Sequence, residues 1–111
     1  MAKYMLLFMG PAMENMDMAD PKVQENTRQW TAWFEDLGKR GALDSPGAPL
    51  QGGGKAVGKR SSDYKMKKSD LQGYIVINAG SMDEAIKIAK ESPHKAMGGK
   101  TVIRQCTDMK M

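Results

Sequence analysis

GYIVINA, residues 73–79, is followed at once by GSMDEAIKIAKESP, residues 80–93. The first stretch is a strand by its β-branched and aromatic content, and its side chains alternate between two faces. Tyr74 and Val76 point one way, and Ile75 and Ile77 point the other. The second stretch opens with a capping box: the Ser81 hydroxyl accepts from the Glu84 amide while the glutamate reaches back to the N-cap. Ala85, Ile88 and Ala89 then face inward, and Pro93 ends the helix at about residue 92.

The same reading extends to both ends. Tyr4–Met9 is a short apolar run closed by Gly10-Pro11, which predicts a strand buried on both faces. Asp20-Pro21 is a helix start, and Val23, Thr27, Trp30, Trp33, Phe34 and Leu37 form one stripe. That helix runs from about 21 to 40, with Gly41 as its C-cap. SPGAPLQGGGKAVG, residues 45–58, reads as a loop, and 55–61 with 64–68 as a twisted edge hairpin. Thr101–Cys106 is the last strand.

Strand-helix-strand, twice, is the pattern of a ferredoxin-like βαββαβ antiparallel sheet, a single α+β domain over 1–111 with both helices on one face. Two apolar faces on the 73–79 strand then require a second cover. Leaving such a face wet costs several kcal/mol at roughly 25 cal/mol per Å2 of apolar surface. A second copy of the chain, packed sheet against sheet, supplies the cover, so the sequence predicts a homodimer.

The chain has 111 residues, a net charge of +4, and eleven methionines. The positive excess sits in residues 55–68, where six Lys and Arg stand against one acid. One cysteine, Cys106, excludes an intramolecular disulfide and a cysteine-built zinc site. The six-residue apolar run near the start is too short for a signal-peptide core or a membrane span. A reduced, cytoplasmic setting is the default reading, with no membrane partner.

KYMLLF, the tryptophan-bearing first helix, QGYIVINAGSMDEAIKIAKESP and GGKTVIRQC together resemble the YCII-related family, specifically its DGPF-domain branch. The resemblance covers nearly the whole chain and implies a dimeric α+β barrel. Some members are thought to be small-molecule enzymes. The branch carries a motif of the form DGPFAETKE before the third strand, where this chain reads SSDYKMKKS. Ser61 stands for the acid, Tyr64 keeps the aromatic, Met66 and Ser69 replace glutamates, and Lys68 matches. Asp63 lies two residues from the place of the missing acid.

His94 is the only imidazole, so any histidine acid–base chemistry must use it. Arg104 on the last strand matches the arginine of the family's final strand and suits a carboxylate or phosphate. The expected site is therefore Arg104 and Lys68 for charge, Tyr64 and Asp63 for contact, and His94 for a proton. It lies in a pocket between sheet, helix ends and 55–68, and its ligand is a small acidic or polar metabolite. The alternative is a non-catalytic dimerisation or protein-interaction domain.

Other constellations fail. GGKAVGKR, from Gly53, misses the P-loop because Arg60 stands where Ser or Thr belongs and no helix follows. Met13, Met16 and Met18 have no histidine or cysteine beside them to complete a copper site. Neither reading leaves a cofactor or metal implied. The basic 55–68 segment with Tyr64 is the rival, as a nucleic-acid surface. It lacks the paired aromatics of an RNA-binding sheet, and edge lysines also block sheet-to-sheet aggregation.

Overall fold

The computed structural model describes residues 1–10, 19–65, 67, 69–94 and 98–108. Its elements are β1 (Ala2–Gly10), α1 (Pro21–Lys39), β2 (Leu43–Pro49), β3 (Lys55–Val57), β4 (Ser61–Asp63), β5 (Asp70–Ala79), α2 (Met82–Lys90) and β6 (Lys100–Gln105). Four strands form one antiparallel sheet in the order β2-β5-β1-β6, and β3 and β4 pair separately. In the larger sheet β1 runs parallel to β2 with β5 between them, and β5 runs parallel to β6 with β1 between them. Two interleaved split β-α-β units result, an α+β arrangement compatible with the ferredoxin-like order.

Register fixes the faces. Leu6 pairs with Ile75 and Ile103, and Tyr4 pairs with Ile77, so these side chains share one side of the sheet. Tyr4, Leu6, Phe8, Ile75, Ile77 and Ala79 are buried there against Trp33 and Leu37 of α1 and Ala85 and Ile88 of α2. Both helices thus cover one face. Met5, Leu7, Tyr74 and Val76 on the opposite face are only half-buried. The expectation that the first strand is buried on both faces is therefore not met in the single chain, because no described helix covers that side.

Both helices begin and end as their residues dictate. The Asp20 carboxylate accepts from the Lys22 amide at 2.9 Å, with Pro21 at the first position. After the C-cap Arg40, Gly41 takes a positive φ of 71°, and the Ala42 amide donates to the Leu37 carbonyl at 2.9 Å. The Gly41 amide reaches the Gly38 carbonyl at 3.1 Å, which completes a Schellman ending. On α1, Thr27 leaves the inner stripe: it is exposed, and its hydroxyl donates to the Val23 carbonyl instead.

The capping box of α2 has one displaced partner. The Ser81 hydroxyl accepts from the Glu84 amide at 3.2 Å, but Glu84 takes the amide of Gly80 rather than that of the N-cap.

The Pro- and Gly-rich 45–49 stretch is a strand rather than a loop. An edge strand tolerates Pro46 and Pro49 because its outer N–H groups have no ladder to join. Two register irregularities, between Leu43 and Ser45 and between Ser45 and Ala48, absorb the awkward residues. Gly47 sits in the second, at φ 55°, where an added Cβ would lie 1.9 Å from the Tyr74 carbonyl oxygen. The hairpin also differs from the expected 55–61 with 64–68: Lys55–Val57 pairs with Ser61–Asp63, so the turn falls at 58–60 and the second strand precedes residue 64. Gly47→Ala should therefore detach the edge strand and cost at least about 2 kcal/mol, read as a lower urea midpoint. An unchanged midpoint would show that β2 does not hold this register.

Candidate functional site

The predicted site residues that are described do not converge on one pocket. Arg104 lies opposite Met5 on β6, exposed, on the face away from the helices. His94 follows α2 in a single 3-10 turn and packs against the helix-side ring of Phe8, with centroids 5.2 Å apart. It contacts β1 at Met9, four residues beyond Met5, which is about 13 Å along a strand. Arg104 and His94 are thus separated by the sheet itself. Lys68 and the methionines at 13, 16 and 18 lie outside the described residues.

Asp63 faces Lys55 across the β3–β4 hairpin and forms an ion pair with it. Both side chains are largely exposed, so the pair fixes a hairpin and contributes little more. Trp30 and Trp33 form a ring cluster with Phe8 and Phe34, as an inner helical stripe should. The Trp33 indole N–H is buried there with no hydrogen-bond partner among the described residues. Among the described residues the best-formed concavity, about 340 Å3, lies elsewhere, beside Arg40, Asn78 and Lys87. No group of three potential metal ligands occurs among the described residues. No helix there is long and apolar enough to cross a membrane.

What does converge is a corner at the end of β1. His94 is 3 % exposed, and its Nε2 lies 2.7 Å from the Met9 carbonyl oxygen. A carbonyl can only accept, so Nε2 carries the proton and donates. The His94 amide is held in turn by the buried Ser92 hydroxyl at 3.1 Å. One residue on, the buried Gln72 amide donates to the Gly10 carbonyl at 3.1 Å. A bulge between Phe8 and Met9 in the β1–β5 ladder turns Gln72 inward to reach it.

Asp70 closes the corner from outside. It pairs with Gly10, and its carboxylate accepts from the Tyr64 hydroxyl, from the Lys67 amide at 3.1 Å and from the Leu71 amide at 2.8 Å. The Tyr64 bond, followed by the two amides, holds the Asp70 carboxyl below the usual carboxylate range. The same bond to Asp70 raises the Tyr64 phenol above its ordinary value. A carboxylate with three donors and a phenol already donating are poor proton shuttles near neutral pH. The corner organises the chain end of the sheet.

The sequence alone does not mark Gln72, Asp70 or Gly99 as site residues. A glutamine opening an otherwise apolar strand was the available signal for the first. Gly99 carries no signal in isolation: an added Cβ there would lie 2.1 Å from His94 Nε2, which only the folded geometry reveals.

Two measurements test this corner. Gly99→Ala should cost about 2 kcal/mol or more, because the ring must leave its place. In a His94→Ala background it should cost a few tenths, since the coupling belongs to the pair. Equal costs in both backgrounds would contradict the packing. Secondly, Tyr64 is held protonated, so its contribution is present below the ordinary tyrosine pKa and lost as pH rises through the folded value. Asp70 is held ionised, so its contribution is present above the ordinary carboxylate range and lost as pH falls through the folded value. In an ultraviolet titration, Asp70→Asn should move one phenol to lower pH, and Tyr64→Phe should remove it. A phenol that ignores Asp70→Asn would contradict the bond.

No protein-family model matches this chain, and no curated protein matches it.

Proposed function

We propose that this protein is a YCII-related, DGPF-branch domain that pairs sheet to sheet into a dimeric α+β barrel and binds a small acidic or polar metabolite without turning it over. A cytoplasmic setting, with Cys106 as a free thiol, belongs to the same reading.

The observation that carries it is the state of Arg104. The guanidinium stands exposed on a sheet face that also carries Met5, Leu7, Tyr74, Val76 and Val102, together with Lys3, Asn78 and Lys100. It has no acid partner among the described residues, whereas Arg28 has one and Arg40 has two. A second copy that covers the apolar residues also takes water from this cation. A desolvated guanidinium is tolerable only when paired and hydrogen-bonded. A carboxylate or phosphate of a small ligand meets that need with two parallel hydrogen bonds.

The non-catalytic part of the reading rests on the corner at the end of β1. His94 Nε2 is committed to a backbone carbonyl, and Asp70 and Tyr64 are committed to each other. A domain whose function is its pairing, with no ligand, draws support from these same commitments and is the second reading.

Calorimetric titration with small dicarboxylic acids and with inorganic phosphate separates the two. The binding reading expects one of these anions to bind, and Arg104→Ala to weaken it roughly 10- to 100-fold, the scale of a charged hydrogen bond. His94→Ala, once shown to be folded, should leave that affinity within about twofold. Failure of every anion to bind, or equal binding by Arg104→Ala, would overturn the metabolite reading.

A further inference from the structure

The β3–β4 hairpin stands apart from the body of the molecule. Every residue from Pro49 to Lys65 is exposed, and Val57 in the hairpin is 79 % exposed. The two strands belong to no larger sheet. A two-stranded hairpin in water is at best marginally stable without a third layer. This one is nonetheless built at its base: the Tyr64 amide donates to the Gly54 carbonyl at 2.8 Å, and the Tyr64 hydroxyl is fixed to Asp70. The radius of gyration, 15.4 Å, exceeds the roughly 13 Å of a compact chain of this length. The hairpin is an arm with a fixed root and an unmet need for cover.

The open sheet face has the complementary deficit. Four strands about 4.8 Å apart and on average about eight residues long make a footprint of roughly 500 Å2. A stable interface covers about 800 Å2 per partner. Sheet against sheet alone falls short of that by roughly a third.

We infer that the 55–63 arm of each protomer docks on the body of a second copy of this chain and supplies the area that the sheet faces lack. This rests on the dimer proposed above and adds its clasp. Charge does not oppose the choice of occupant. Lys59, Arg60 and Lys65 have no acid partner among the described residues, while the chain outside 55–68 carries eleven Lys and Arg against twelve Asp and Glu. Val57 gives the arm apolar contact area as well. Nucleic acid fits less well: the one nearby aromatic, Tyr64, has its hydroxyl on Asp70, whose carboxylate would face the phosphates.

Sedimentation equilibrium of the full chain and three variants tests the clasp. In one variant residues 55–63 are replaced by Asn-Gly, a turn that the Gly54–Tyr64 hydrogen bond can close. The others, Val57→Asp and Arg60→Glu, change exposed side chains and leave the fold intact. The excision should raise the dimer dissociation constant at least about tenfold, and each point variant several-fold. A dimeric wild type whose constant none of these changes moves would overturn the clasp and leave the sheet pairing standing. A monomeric wild type at micromolar concentration would instead remove the dimer on which both depend. Unchanged dimers together with salt-sensitive binding of a 20-nucleotide single strand, abolished by Arg60→Glu, would overturn the clasp in favour of a nucleic-acid surface.

Discussion

A four-stranded antiparallel sheet has two faces, and two helices can cover only one. Every other feature of this molecule is arranged around that constraint. Leu6, Ile75 and Ile77 disappear under Trp33, Leu37 and Ile88, while the residues between them in the same strands stay half-open. The sheet is apolar on both sides because its central strands carry few polar residues in either phase. An uncovered apolar face of this kind marks an interaction surface in most soluble proteins.

The edges and ends of the sheet are handled differently from its faces. At the β2 edge, prolines and a bulged glycine leave little ladder for another strand to join. At the end of β1, Gln72, His94 and Asp70 take up the hydrogen bonds of a chain leaving the sheet. His94 is a structural residue in this arrangement, wedged between Phe8 and the glycine backbone. Its Nε2 is committed to the Met9 carbonyl, and the Asp70 carboxylate accepts from three donors.

Much of the fold is legible in the sequence because its signals are local. Asp20-Pro21, the Ser81–Glu84 box and the alternation of residues 73–79 each specify an element by short-range physics. The 45–49 stretch is misread for the same reason. Pro46, Gly47 and Pro49 say loop locally, and only pairing with Tyr74 and Gly73 makes them a strand. The site is less legible still. Arg104 and His94 are both conspicuous in the sequence, yet register and face place a sheet between them. Gln72 and Gly99 matter through contacts 62 residues away and through a missing Cβ, respectively. Neither effect leaves a pattern that spacing can reveal.

The central claim is that a second copy covers the open sheet face, and static light scattering on the purified chain at micromolar concentration tests it most directly. The account expects a mass twice the 12.2 kDa of the chain, unchanged on modest dilution, and a fall towards the single-chain value for Val76→Arg on that face. A wild-type mass of 12.2 kDa would contradict it, because the apolar face would then stand in water with no partner.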